Sequence, residues 1–321
     1  MRYFVTGGAG FIGSHYVRML LNEFSDHVEG VTVFDKFTYS GNEANLTDVK
    51  IDSRFRLVRG DICDPLAVKN SMSGHDIVVH FAAESHVDRS IQSANVFVLT
   101  NVLGTQNLLE CARNLEIPTF VHVSTDEVYG SISNGSWAES EPLLPNSPYA
   151  ASKASSDLIA RSFHQTYGMD IRVTRCSNNF GTHQFPEKMI PLFITNLIDG
   201  LKVPLYGDGL NVRDWLHVSD HCRGIDLVAQ LGTSGEVYNI GGGTELTNRD
   251  LTFKLLDAFG RDEDFINPVE DRLGHDRRYS VDWNKIRNEL GYTPQRSINN
   301  DLPEIIDWYK QNEPWWRPLK K

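Results

Sequence analysis

Thr6-Gly7-Gly8-Ala9-Gly10-Phe11-Ile12-Gly13 decides how this chain folds. The residues before it, 3–6, are β-formers, and those after it, 11–22, carry apolar side chains at helical spacing, so the glycines join a strand to a helix. In that setting Gly7 allows a tight turn, Gly10 lets backbone approach a pyrophosphate, and Gly13 lets helix and strand pack closely. The helix N-terminus then points unpaired N–H groups at a phosphate. Asp35 lies 22 residues beyond Gly13, at the end of the next strand-like run. There a carboxylate bonds a ribose 2′-hydroxyl and repels a 2′-phosphate, which predicts NAD rather than NADP, although the neighbouring Lys36 softens the repulsion. Asp61-Ile62, ending another strand, is placed to contact adenine, and Phe81-Ala82-Ala83 supplies a small-residue floor under the cofactor.

Outward from this fingerprint, strand-like and helix-like segments alternate. Short β-branched or aromatic runs fall at 3–6, 31–35, 55–59, 77–82, 119–124 and 171–176, and helical patterns at 11–22, 96–114 and 149–166. Alternation of this kind predicts an α/β fold, a Rossmann-type doubly wound parallel sheet. After about residue 177, turns rich in Asn, Gly and Pro break up shorter elements. Residues 1–177 are therefore expected to form the dinucleotide-binding domain. Residues 178–321 form a smaller, interleaved C-terminal α/β substrate-binding lobe, from which a strand near 237–241 returns to the main sheet. The tail, 308–321, is expected to be a packed helix with a short exposed end.

The chain has 321 residues and a formal net charge of −11, which argues against non-specific binding to nucleic acid or an anionic membrane. An anionic ligand would need a local positive pocket built against that field. Its four cysteines (Cys63, Cys111, Cys176, Cys222) are scattered, so neither a disulfide framework nor a zinc site is signalled and no metal is expected. Met1-Arg2-Tyr3-Phe4-Val5 runs straight into the glycine turn, and no apolar stretch reaches the ~20 residues of a membrane span. A cytoplasmic location is the corresponding expectation.

Two further segments carry chemistry. Tyr149 and Lys153 stand four apart on one helical face. A phenol with a pKa near ~10 is a poor base at neutral pH, and an adjacent ammonium together with an oxidised nicotinamide would favour its phenolate. Ser124-Thr125-Asp126-Glu127 closes the fifth strand, at the carboxyl edge where open α/β sheets bind ligands. Thr125 can bond the oxygen being oxidised. Asp126 and Glu127 are neighbours whose surroundings can push their pKa values apart into one acid and one base. Hydride transfer needs one base, so two carboxyls beside it point to oxidation and elimination in one pocket.

The T-G-G-x-G-x-x-G turn and the Y-x-x-x-K pair together resemble the extended short-chain dehydrogenase/reductase family. Within it the chain is similar to the nucleotide-sugar 4,6-dehydratases. That closer likeness rests on Asp35-Lys36-Phe37-Thr38-Tyr39-Ser40-Gly41-Asn42, His80-Phe81-Ala82-Ala83-Glu84-Ser85-His86-Val87-Asp88, Ser124-Thr125-Asp126-Glu127-Val128-Tyr129-Gly130 and Pro186-Glu187-Lys188-Met189-Ile190-Pro191. The resemblance implies an NAD-dependent hydro-lyase acting on dTDP-glucose. Tyr149 would take the C4 hydroxyl proton with help from Thr125 and Lys153, Glu127 would remove the C5 proton, and Asp126 would protonate the departing C6 hydroxyl. It further implies cofactor contacts from Gly7, Gly10, Phe11, Ile12, Gly13, Asp35, Lys36, Thr38, Asp61, Ile62, Phe81, Ala82, Ala83, Ser85, Thr100, Ser124, Tyr149, Lys153 and Asn179. For the sugar nucleotide it implies Ser85, Thr125, Asn178, Lys188, Met189, Pro204, Leu205, Tyr206, Arg213, Asn248, Asp271 and His275, with Lys188 and Arg213 as the diphosphate partners. Without the resemblance, Arg213 reads as a surface ion pair and His275 as a solvated loop residue, while His15, His80 and His122 read as packing residues. Where the family often has N-N-Y-G-P-Y, this chain has Asn178-Asn179-Phe180-Gly181-Thr182-His183, so that loop is expected to differ in shape. A homodimer, built through the helices at 96–114 and 149–166, is a family expectation. Two competing readings share part of these residues: a UDP-sugar 4-epimerase or decarboxylase, which has no use for the carboxyl pair, and a catalytically silent NAD-binding regulator.

Overall fold

Alternate side chains of the central strands enter two different cores, the signature of a sheet buried on both faces. Tyr3, Val5, Val31, Val33, Ile77, Val79, Val121 and Val123 pack with the helices Phe11–Asn22 and Val218–Leu231. Phe4, Phe34, Val78 and Phe120 pack on the other side with Pro65–Met72, Thr105–Asn114 and Pro148–Tyr167. The computed structural model describes residues 1–320. Its strands in chain order are β1 (Arg2–Thr6), β2 (Gly30–Asp35), β3 (Phe55–Arg59), β4 (Ile77–His80), β5 (Thr119–Thr125), β6 (Ile171–Cys176), β7 (Asn178–Phe180), β8 (Val203–Tyr206), β9 (Val212–His217), β10 (Val237–Ile240), β11 (Glu245–Thr247) and β12 (Ile266–Val269).

Seven strands form the main sheet in the order β10-β6-β5-β4-β1-β2-β3, and every neighbouring pair is parallel. This is the Rossmann-type doubly wound sheet that the alternation predicts. Strand order reverses between β1 and β4, which opens the ligand crevice beyond their carboxyl ends. After β6 the chain builds two small sheets, β11-β9-β7 and β12-β8, over a separate core that includes Phe193, Trp215, Leu255 and Ile305. Between β9 and β11 it sends β10 back to pair with β6, from Val237 opposite Val173 to Ile240 opposite Cys176.

Three boundaries differ from expectation. The strand expected over 77–82 stops at His80, because Phe81 and Ala82 turn their N–H groups onto the Thr6 carbonyl and hydroxyl and face the crevice. The helix expected over 96–114 is interrupted by a π-helical turn, Val98–Gly104, between Asn95–Phe97 and Thr105–Asn114. That turn aims Asn101 at the Glu84 backbone, which it bonds through both amide atoms, and at Ser152 Oγ at 2.8 Å. The tail is not one helix. Ile298–Gln311 ends at Asn312, followed by the short turns Glu313–Trp316 and Arg317–Leu319, and the expected exposed end at Lys321 lies outside the described residues. The Pro148–Tyr167 helix contains the expected 149–166 pattern: Ser147 Oγ caps the Ala150 N–H, Pro148 opens the first turn, and Gly168 in the left-handed region closes the last. No helix among the described residues is long and apolar enough to cross a membrane.

Candidate active site

The glycine turn fits a dinucleotide for steric reasons. Gly7 has φ +69°, and a Cβ on it would come within 2.6 Å of the Ala82 nitrogen. Gly10 is the N-cap of the Phe11–Asn22 helix and offers no side chain to its first N–H groups, which leaves them for a pyrophosphate. Asp35 is buried at the end of β2, where the Ala9 N–H (2.9 Å) and Phe37 N–H (2.8 Å) bond its two oxygens. Lys36 turns away to pair with Asp61 at 2.6 Å, so its charge is already matched and does not soften Asp35. All nineteen residues expected to contact the cofactor line one crevice, together with Thr125, Asp126 and Glu127. The crevice is also lined by residues to which the sequence reading gave no role, among them Ser40, Gly41, Gln184, Phe185 and Glu187.

At its inner end the end of β5 and the Pro148–Tyr167 helix bring the reactive groups together. Thr125 Oγ1 donates to Asp126 Oδ1 and accepts the Glu127 N–H, both at 3.3 Å, which starts the short turn Asp126–Tyr129. Burial and the Glu127 charge push the Asp126 carboxyl well above the usual carboxylate range. Burial raises Glu127 as well, but three cations, Arg272, Arg213 and Lys188, pull against it. Both carboxyls are therefore raised, Asp126 the further, because three cations oppose the burial of Glu127 whereas Arg213 is the cation that opposes that of Asp126. Tyr149 lines the same crevice beside them. Burial and Glu127 hold its phenol well above 10, and Lys153 donates from Nζ to the Val123 carbonyl (2.8 Å) rather than to the phenol. Burial also pulls the Lys153 ammonium down to about 8. In the protein alone the phenol is thus the stable form, and the phenolate depends on charge that a ligand brings.

The residues expected for the sugar nucleotide divide into two groups. Ser85, Thr125, Asn178 and Lys188 line the crevice, whereas Met189, Pro204, Leu205, Tyr206, Arg213, Asn248, Asp271 and His275 lie outside that lining. Part of the second group is linked: His275 Nδ1 meets Asp271 Oδ1 at 2.6 Å, and its ring stands edge-on to Tyr206. Pro204 and Leu205 belong to β8, and Asn248 opens the helix Asn248–Ala258 beside β11. Arg213 is 4% exposed and is not the surface ion pair of the bare sequence reading. Its guanidinium donates to the Val212 and Asp276 carbonyls and lies 4.2 Å from the Tyr279 ring centre. Neutral partners leave its charge available to an anion, as does that of Lys188, whose Nζ donates to the Ser85 carbonyl. Sequence reasoning missed Arg272, which acts on Glu127 and pairs with Asp88 at 3.6 Å, and Tyr279, whose hydroxyl donates to Asp276 and lies 3.4 Å from Glu127 Oε2. It also missed Glu187, bonded to Arg89 at 2.8 Å, although the Pro-Glu-Lys segment drew notice to its neighbour. The changed loop residues are absorbed into packing: Phe180 is buried, and His183, at φ +60°, lays its ring tilted against Trp308 and edge-on to Trp315.

Fold and site together define a dinucleotide-binding α/β enzyme of the extended short-chain dehydrogenase/reductase class. The chain belongs to the GDP-mannose 4,6 dehydratase family, whose model matches residues 4–305. It is 61% identical over 324 residues to the dTDP-glucose 4,6-dehydratase of Streptomyces antibioticus, covering 100% of this chain and 96% of that one. It is 43% identical over 349 residues to the dTDP-glucose 4,6-dehydratase of Escherichia coli, with 99% and 96% covered. Among solved structures it is similar to DesIV, the dTDP-glucose 4,6-dehydratase of Streptomyces venezuelae crystallised with NAD and dTDP, at TM-score 0.98, 59% identity and full coverage of both chains. The UDP-glucose 4-epimerase of Thermus thermophilus, in complex with NAD, is more distant: TM-score 0.87, 28% identity, 97% of this chain and 100% of that one.

Proposed function

We propose that this chain is a dTDP-glucose 4,6-dehydratase, converting dTDP-glucose to dTDP-4-keto-6-deoxyglucose and water. The observation that carries this reading is the unequal pair Asp126 and Glu127 beside Tyr149 in the NAD crevice. NAD, when bound, takes the C4 hydride and returns it to C6. Tyr149 receives the C4 hydroxyl proton, with Thr125 bonding the same oxygen and Lys153 supporting the phenolate. The C4 carbonyl makes the C5 proton acidic, and Glu127, the carboxylate supported by Arg272, Arg213 and Lys188, removes it. Asp126, whose carboxyl burial raises well above the usual range, gives its proton to the C6 oxygen, which leaves as water. Asp35 and the glycine turn hold the ribose and pyrophosphate of the cofactor, and Lys188 and Arg213 hold the diphosphate of the sugar.

Incubation with dTDP-glucose and NAD should give the alkaline absorbance of a 4-keto-6-deoxy sugar. A galactose-configured product with no keto sugar would instead make the chain a 4-epimerase, and no product with any sugar nucleotide would leave an NAD-binding regulator. A thermal-shift panel of nucleoside diphosphates should show the largest stabilisation with dTDP. The same reading includes a cytoplasmic location and a division near residue 177 into cofactor and sugar-nucleotide lobes. It also includes a homodimer through the Thr105–Asn114 and Pro148–Tyr167 helices and the π-turn between them. The apolar side chains of Val98, Leu99, Leu103 and Leu158, all exposed in one protomer, support that interface.

A further inference from the structure

The helical face that carries Tyr149 and Lys153 carries a third polar residue at the same interval, Asp157. It is 2% exposed, does not line the cofactor crevice, and has no part in the steps above. Its Oδ2 accepts the Arg175 Nε–H at 2.9 Å, and its Oδ1 lies 3.2 Å from His122 Nε2. Arg175 also donates from Nη1 to the Tyr129 hydroxyl at 2.7 Å, and Tyr129 donates in turn to Asn239 Oδ1 at 2.9 Å. One carboxylate therefore ties the catalytic helix to β5, to β6, to the turn that presents Asp126 and Glu127, and through Asn239 to β10.

Lys153 supplies the second observation. It is 4% exposed, and its Nζ contacts a backbone carbonyl; no ion pair involving it is found among the described residues. A buried ammonium with no counter-ion in contact is costly, and Asp157, one turn along the same face, is the acid that most opposes its loss of charge. We propose that Asp157 is a positioning residue for catalysis: held between Arg175 and His122, its carboxylate supplies the buried negative charge against which the Lys153 ammonium is kept, and through Arg175 and Tyr129 it fixes the Asp126–Glu127 turn. This rests on the roles assigned above to Tyr149 and Lys153.

The surrounding charges are compatible with it. On β4 and β5, burial pushes His80 and His122 down, so both rings are neutral near pH 7. On β6, burial and Asp126 push the Cys176 thiol up, leaving it uncharged, while Arg175 is the cation facing Asp157. Burial also raises the Tyr129 phenol to about 12, so it is neutral too. Behind Asp157 a cleft carries Glu139, Arg161, His164, Glu236 and Lys285, and it reaches both Asp157 and Arg175. Lys153 and Asp157 are thus opposed charges one turn apart on the helix, with Arg161 a further cation one turn beyond Asp157 and Arg175 pairing with Asp157 from β6.

The test is the pH profile of kcat for dTDP-glucose in Asp157→Asn. Removing the carboxylate lets Lys153 deprotonate more readily. The alkaline limb should therefore move about one pH unit lower, and turnover near pH 8 should fall about fivefold, with KM and NAD affinity unchanged. Asp157→Glu should restore the limb. If Asp157→Asn fails to fold, Asp157→Ser, whose shorter side chain admits water from the cleft, carries the same expectation. A lower melting temperature with the limb unmoved, in whichever variant folds, would reduce Asp157 to a structural ion pair and overturn the proposal. Inactive wild-type protein would defeat the functional reading on which it rests, whereas active wild type with an unmoved limb defeats this proposal alone.

Discussion

Asp126 and Glu127 are joined by one peptide bond yet face different fields, and single substitutions separate their jobs. Glu127→Gln should stop solvent deuterium entering at C5 and lower turnover by roughly 10²–10⁴, with NAD binding intact; full turnover would refute its role as base. Asp126→Asn should still exchange C5 but release little water, because hydroxide leaves poorly without a proton. Asp157 makes a stability prediction of opposite form to the kinetic one. Burial works to raise it, but Arg175 and His122 bring its carboxyl down to about 2 from 3.8, so its contribution is present above about pH 4 and is lost as pH falls toward 2. The melting-temperature gap between wild type and Asp157→Asn should therefore close over that window. At this scale the sequence showed Tyr149, Lys153 and the carboxyl pair, because each sits in a short motif with a fixed spacing. It did not show Arg272 and Tyr279, which reach Glu127 from a loop about 150 residues away with no pattern to mark them. Nor did it show how strongly burial raises the Tyr149 phenol in the protein alone, since desolvation by the fold leaves no trace in a spacing.

The strand–turn–helix element bears the same reasoning one level up. Gly7→Ala would force a side chain into the left-handed region, costing about 1–2 kcal/mol, and press its Cβ on the Ala82 backbone. We expect a lower melting temperature and a large loss of NAD affinity by titration calorimetry; unchanged affinity would show that the turn does not cradle the cofactor. Ser147→Ala removes the N-cap of the catalytic helix and should cost about 1 kcal/mol in denaturant unfolding. Element types were legible because the strands are short β-branched or aromatic runs and the helices between them carry apolar or small residues close to helical spacing. The π-turn was not legible: Asn101 reaches the Glu84 backbone and Ser152 only after those three segments have come together.

For the whole molecule, the predicted dimer gives a test independent of catalysis. Leu158→Glu or Leu103→Asp should halve the mass seen by sedimentation if those exposed side chains meet a second copy; an unchanged monomer in wild type would discard the interface. The main sheet could be read from the alternation of elements, and a strand near 237–241 could be suspected from its β-branched run. The burial of Arg213 and the grouping of Tyr206, Asp271 and His275 could not, because they depend on how β8, β9 and β12 pack. Strand β10 has one more consequence, for synthesis on the ribosome. When β6 leaves the exit tunnel, its outer edge has no partner until about sixty more residues have emerged, so the nascent chain carries an open parallel-sheet edge during that interval. A chain released at residue 177 should aggregate rather than fold, and slowing translation between β6 and β10 should raise its demand for chaperones.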